Sequence, residues 1–406
     1  MESKSKRLED REYWQDLAEG LKISPDGERR FTEEELSLDS VDETDVQIAR
    51  ERIIDEGYCQ LAPGKLCPLN DESFGRIRKG IETLKEHGWP ASFIFLYDDA
   101  WVLAARMATL MRSVGENEIS YDMLAWNVNQ EAGEGGFSPH RDRQPDDASA
   151  TFRECGMAMY TTCWVPLTRA SPDNSCLHVI PRQHDPGYVK GDDEGGKDPL
   201  AVALPNKEAY QHIRALPTDP GGALLFTHRI IHWGSQGRRA TAKEAERGTP
   251  ESPRLSISIG FSDPAYEKPY LRGQEKLQAG SKLPGFRVRL ALVCAQMISY
   301  FERFPTEKQL FYSFYKVFSG DSALFDEDYF VNTKKEFARA VQEHEDAAAG
   351  QSDQADDAES DEDDMLDEAL EIMLEREAHG EIDFEDDFDG MAESEEGGSS
   401  KKPKLR

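Results

Sequence analysis

Apolar spacing divides the chain into a helical opening, a strand-rich middle and a helical close. Leu8, Trp14, Leu17 and Leu21 make a partial apolar stripe that predicts a short helix over residues 5–22, ended by the turn Ser24-Pro25-Asp26-Gly27. Residues 42–56 read as a helix with an acidic first turn, and 58–61 as a short apolar piece. Phe74, Ile77, Ile81 and Leu84 recur at helical spacing over 70–87, and nearly continuous apolar residues predict another helix over 100–114. The texture changes near Ser120. Residues 121–128, 157–167, 176–180 and 223–227 are short apolar or aromatic runs, the last behind the turn Asp219-Pro220-Gly221-Gly222, and 254–261 alternates cleanly. Short strands with turns between them predict a sandwich or barrel. Two polar stretches, 185–200 and 238–252, read as inserted loops. After Pro264 the helical pattern returns over 288–304 and 307–318.

These patterns predict a polar N-terminal extension (1–45), a mainly β core domain with flanking helices (46–265), a C-terminal helical extension (266–345) and an acidic tail (346–406). Charge sharpens the last boundary. From Asp346 onward, 23 acidic residues stand against 5 basic ones, a balance of −18 out of −31 for the whole chain. The remaining 345 residues therefore carry −13, and disorder is the expectation for the tail. Two islands interrupt it: Met365, Leu366, Leu370, Met373 and Leu374 on one face of a short helix, and Phe384 and Phe388 among acids. Both suit a segment that orders on a protein partner. An acidic chain is a poor direct binder of nucleic acid.

The six cysteines form no C-x-x-C pair, so buried free thiols in a reducing compartment are expected. Residues 1–11 lack an apolar secretory core, and the most apolar run, 290–298, falls short of the roughly 20 residues that span a bilayer. No membrane association is expected. The basic stretch 401–406 resembles a nuclear-import patch, so the expected location is cytoplasmic or nuclear and not secreted.

The candidate chemistry begins at Ser138-Pro139-His140-Arg141-Asp142. In an extended segment His140 and Asp142 share a face, which supplies the near half of a 2-His-1-carboxylate iron site. The far half is sought in Leu224-Leu225-Phe226-Thr227-His228-Arg229-Ile230-Ile231-His232-Trp233-Gly234. A histidine near a strand end there is a suitable ligand; His232 is preferred, with His228 as the fallback. In 254–261, Leu255, Ile257, Ile259 and Phe261 occupy one face, and Arg254, Ser256 and Ser258 the other. An arginine with two hydroxyls on an interior face requires an anionic partner, and a guanidinium fits a carboxylate.

In this order, His140-x-Asp142, His232 and Arg254 resemble the phytanoyl-CoA dioxygenase family of iron(II)- and 2-oxoglutarate-dependent oxygenases. Trp164-Val165-Pro166-Leu167 and Asn174-Ser175-Cys176-Leu177 resemble a family strand and its "NGCL" turn; Ile180-Pro181-Arg182-Gln183-His184 resembles "PGSH"; Asp219 to Ser235 resembles "PGD…FH…HGS". Ser175 and Arg182 stand where the family usually has glycine, and the interval from His232 to Arg254 is about twice the usual one. Arg238 or Arg239 within that insert is the alternative to Arg254.

The resemblance implies a double-stranded β-helix, a jelly-roll barrel of cupin-like form. It implies Fe(II) held by His140, Asp142 and His232. It implies 2-oxoglutarate gripped by Arg254 and Ser256 beside Trp164, with ascorbate as a candidate reductant. Succinate and CO₂ would accompany hydroxylation of a small-molecule or acyl substrate. Related halogenases replace the carboxylate ligand with a small residue, so Asp142 implies oxygen rather than halogen transfer. Arg141, Arg143, Arg182 and Arg229 are candidates to receive an anionic substrate. Two other readings stand beside this one: a catalytically silent scaffold working through its acidic tail, and a cupin-type or zinc hydrolase site, in which the Arg-x-Ser strand has no role.

Overall fold

The computed structural model describes residues 4–67, 72–143, 151–192, 198–237, 253–304 and 306–349. The tail with its apolar islands and basic patch, from residue 350, lies outside the described residues, as does the insert 238–252.

Eight strands are described: β1 (Tyr58–Leu61), β2 (Glu118–Val128), β3 (Tyr160–Pro166), β4 (Leu177–Ile180), β5 (Arg214–Leu216), β6 (Ala223–Thr227), β7 (Ile231–Gly234) and β8 (Arg254–Ser262). They form two antiparallel sheets, the major one ordered β1-β6-β3-β8-β2 and the minor one β5-β4-β7. The antiparallel, strand-rich middle follows the sequence pattern. Trp164, Leu224 and Phe226 of the major sheet pack with Leu177, Val179 and Leu216 of the minor sheet.

The other face of the major sheet meets the helices. These are α1 (Arg11–Leu17), α2 (Glu43–Glu56), α3 (Glu72–Glu86), α4 (Asp98–Gly115), α5 (Phe286–Ser299), α6 (Lys308–Gly320) and α7 (Glu327–Ala349). Cys163, Val165, Leu225, Leu255, Ile257 and Ile259 share one core cluster with residues of α4 and α5. Local chemistry sets several boundaries. Asp42 and Asp45 close a capping box at the start of α2, and Gly57 ends it in the left-handed region at φ 86°. α5 is buried almost throughout, and its Arg289 answers Asp98 of α4 at 2.7 Å inside the core.

Three expectations shift. The helix over 5–22 is broken, because Asp10 accepts from the Glu12 and Tyr13 amides and starts α1 afresh. The helix over 288–304 stops at Ser299, where Tyr300 leaves helical geometry and a 3₁₀ turn covers Phe301–Arg303. The N-terminal stretch, polar in composition, is packed into the main core through Leu8, Trp14, Leu21, Ile23 and Phe31. The Trp14 ring stacks on Phe93 at 5.0 Å and 11°, and its Nε1 donates to the Leu8 carbonyl at 2.8 Å. Polar residues here cover the outer side of a buried stripe.

Trp14→Ala is expected to cost about 3–5 kcal/mol of unfolding free energy by urea titration. A loss below about 1 kcal/mol would show that the N-terminal segment is dispensable to the core.

Candidate metal centre and carboxylate pocket

His140 and His232 exchange backbone hydrogen bonds, each amide donating to the other's carbonyl at 3.0 Å. This bridge adds the 138–142 segment to the free edge of β7. Glycine makes it possible: a Cβ on Gly136 would lie 2.4 Å from the Gly234 Cα. The bridge sets the two imidazoles 4.3 Å apart, centroid to centroid.

Each imidazole Nδ1 faces a backbone carbonyl, that of Ser138 at 2.7 Å for His140 and that of Ile230 at 3.2 Å for His232. A carbonyl only accepts, so Nδ1 carries the proton and the Nε2 lone pair is left for a ligand role. Both Nε2 atoms face one carboxylate oxygen: Asp142 Oδ1 lies 3.6 Å from His140 Nε2 and 3.4 Å from His232 Nε2. The second oxygen, Oδ2, accepts from the Thr162 hydroxyl at 2.7 Å. One ligand atom from each residue lies within 4.8 Å of the others. Burial lowers the His232 pKa to about 4, which keeps it neutral. Burial also disfavours protonated His140, but the adjacent Asp142 carboxylate outweighs it and the pKa is raised. Burial pushes Asp142 up, yet the two imidazoles and the Thr162 hydroxyl hold it well below the usual carboxylate range.

His228, the fallback, lies elsewhere. Its Nδ1 meets the Tyr160 carbonyl at 2.8 Å, and its ring sits among Phe152, Tyr160 and Tyr266. The structure places His232, and not His228, beside Asp142.

Arg254 begins β8, is 1 % exposed and faces the space between the sheets. Its Nη1 donates to Ser256 Oγ at 2.5 Å, and its guanidinium lies 5.6 Å from the Trp164 ring centroid. Its Nε has no hydrogen-bond partner, and among the described residues no carboxylate pairs with it. Burial depresses its pKa to about 10. A buried cation left in this state is costly unless an anion arrives from outside. Arg254, Trp164, His140, Asp142 and His232 line one cavity of about 260 Å³. The alternative arginines, Arg238 and Arg239, lie outside the described residues.

The other arginines of the sequence reading are not open anion receptors. Arg141 is buried between Asp185 and Asp192, at 2.5 Å and 2.7 Å. Arg143 binds Glu267 at 2.8 Å and Asp122 at 3.1 Å. Arg182 lies over the Phe152 and Tyr188 rings, and Arg229 donates to the Tyr188, Gly187 and Arg143 carbonyls. The acidic residues that answer Arg141 and Arg143 are distant in sequence, so nothing local shows the pairing.

Sequence reasoning also missed one wall of the cavity. Asp122, Tyr160, Tyr300, Glu302, Arg303 and Arg339 line it, the last four from the C-terminal helical region. The one local signal is Gly260, which interrupts the polar face of β8.

Residues 80–241 match the family model "Phytanoyl-CoA dioxygenase (PhyH)". The match includes His140, Asp142, Trp164 and His232, and ends before Arg254. Among solved structures, the epimerase SnoN in complex with Fe3+, alpha-ketoglutarate and nogalamycin RO is 18% identical, over 60% of this chain and 97% of that one, with a TM-score of 0.41. The non-heme monooxygenase ThoJ in a nickel complex is 12% identical, over 70% and 99%, with a TM-score of 0.40. EctD from S. alaskensis with bound Fe is 17% identical, over 61% and 85%, with a TM-score of 0.35. These are distant likenesses. No curated protein matches.

Arg254→Met is expected to leave the ligand-free protein as stable as the wild type or about 1–2 kcal/mol more stable at neutral pH, because an unpaired buried charge is removed. The sign agrees with the depressed pKa: its cost is present below pH 10 and fades as pH rises through that value. A fall in thermal midpoint would show that Arg254 has a counter-ion within the protein.

Proposed function

We propose that this cavity, in a chain whose residues 80–241 match the phytanoyl-CoA dioxygenase family model, is the active site of an iron(II)- and 2-oxoglutarate-dependent dioxygenase. The observation that carries the reading is Arg254, a buried guanidinium with no carboxylate partner among the described residues, in the same cavity as a His-Asp-His cluster. The donor set fits a divalent iron: two imidazole nitrogens with the opposite nitrogen already committed, and one carboxylate oxygen. The orphaned Arg254 Nε and the Ser256 hydroxyl fit the distal carboxylate of the keto acid. The two sheets are then the halves of a double-stranded β-helix, with the site between them.

His140, Asp142 and His232 would hold the metal. Arg254 and Ser256 would bind 2-oxoglutarate, and Trp164 would flank it. Bound together, iron and 2-oxoglutarate supply an O₂-dependent oxidation of substrate, coupled to decarboxylation of the keto acid to succinate and CO₂. Thr162 keeps Asp142 oriented, since its hydroxyl occupies Oδ2 and leaves Oδ1 towards the histidines. Convergence of three donors from one side leaves the cavity side open to small molecules. The retained carboxylate occupies the place a halide would need, which favours oxygen transfer. Buried apolar walls, Leu177 and Phe226, limit water around the site.

Purified protein is expected to release succinate from 2-oxoglutarate in air with Fe(II) and ascorbate. Absence of both succinate release and 2-oxoglutarate binding would contradict the reading. In metal titrations, His140→Ala and His232→Ala are expected to lose binding, while His228→Ala keeps it; equal losses in all three would reassign the ligand set.

Thr162→Val is expected to weaken metal affinity about 10- to 100-fold while the fold persists. An unchanged affinity would show that Asp142 needs no support from Thr162.

A further inference from the structure

The wall of the cavity that carries Asp122, Tyr160 and Tyr300 is built with more care than a cavity lining requires. β2 carries three residues, Ser120 to Asp122, against Gly260 of β8, where the ladder shifts register. Tyr121 sits at φ 69°, a strained value for a large side chain. Asp122 donates its amide to Ser120 Oγ at 3.3 Å, and Met123 donates to Gln296 Oε1 of α5 at 3.0 Å. Gly260 leaves the space that the Tyr160 side chain uses, since a Cβ there would lie 2.0 Å from the Tyr160 hydroxyl. α5 ends so that Tyr300 reaches the same carboxylate. Strain, glycine and helix end all serve Asp122.

Asp122 accepts from Tyr160 Oη at 3.0 Å, from Tyr300 Oη at 3.0 and 2.9 Å, and from Arg143 Nη2 at 3.1 Å. Each tyrosine has one hydroxyl proton and spends it on Asp122, so both phenol oxygens can only accept from the cavity. Arg143 offers nothing further: it also serves Glu267, the Asp142 carbonyl and Tyr270 Oη. Burial raises the Asp122 pKa and the Arg143 guanidinium opposes this. Glu302 adds another acceptor at the rim, and Arg339 is tied to Glu302 at 3.1 Å. Arg303 is the exposed cation at the mouth, over the Phe137 ring at 5.3 Å.

We propose that Asp122, Tyr160 and Tyr300 form the substrate-recognition surface, and that it takes a compact substrate presenting a hydrogen-bond donor, a hydroxyl or ammonium group, rather than a fatty acyl chain. The proposal rests on the oxygenase reading for which bond is then oxidised, but the recognition chemistry stands on the wall itself. A surface of acceptors leaves an acyl chain facing unsatisfied polar groups, whereas a donor completes them. A cavity of about 260 Å³ that also admits a keto acid has room only for a compact group.

The test is ligand-observed NMR on full-length protein loaded with Zn(II) and 2-oxoglutarate. The probes are 1,4-butanediol and 1,4-diaminobutane against butyrate and hexanoate. The donor probes are expected to bind the wild type more tightly than either carboxylate. Asp122→Asn is expected to weaken donor binding about tenfold or more, and Tyr300→Phe several-fold. Thermal unfolding checks that each variant folds, and the wild-type preference needs no variant. Tighter hexanoate binding, carboxylate binding abolished by Arg303→Ala, donor binding unchanged in both folded variants, or no donor binding at all would each overturn the proposal. Calorimetry of Zn(II) and 2-oxoglutarate is run separately. Its failure would count against the oxygenase reading, while donor binding repeated on the unloaded protein still decides the recognition surface.

Discussion

β8 is buried on both faces but apolar on only one, and the cavity depends on that constraint. Leu255, Ile257, Ile259 and Phe261 are fully enclosed on the helix side, between β3 and β2 in the sheet. Their burial fixes the strand's register, so Arg254 and Ser256 are held inside on the opposite face whatever their own preference. A guanidinium placed there costs free energy that the packed helices must offset. The cost is understandable if the vacant partner is a ligand, because a site that kept its own carboxylate beside Arg254 would compete with an incoming one.

The His140, Asp142 and His232 cluster is assembled from pieces distant in sequence, and backbone contacts carry most of the precision. The His140–His232 bridge depends on close approach at Gly136 and Gly234. Arg141, between the two ligand-type residues of its segment, is clamped by Asp185 and Asp192 and holds that segment against the following loop. Thr162 reaches across from β3 to Asp142. Rotamers and backbone are thus constrained before anything binds, which is what a preorganised site requires.

Much of this was legible in the sequence. The β8 alternation, the common face of His140 and Asp142, and the strand-end position of His232 follow from local periodicity, and the structure brings these residues together. Trp164 was found through a family motif, and lies against Arg254. Other features depend on contacts that periodicity does not encode. Arg141 and Arg143 looked like open cations because their acidic partners lie far away in sequence. The apolar stripe through Trp14 was visible, but its docking into the main core was not, because the partner Phe93 lies far along the chain. Asp122 was unreadable as a site residue because its place depends on a bulge, a missing Cβ at Gly260 and the end of α5. The tail and the 238–252 insert lie outside the described residues.

The central claim is that the His-Asp-His cluster and Arg254 are two ends of one ligand site. Anomalous diffraction from crystals soaked with Mn(II) and 2-oxoglutarate tests it most directly. The account predicts one metal peak among His140, Asp142 and His232, with the distal carboxylate of the keto acid on Arg254 and Ser256. A metal bound elsewhere, or a keto acid that leaves Arg254 untouched, would contradict it.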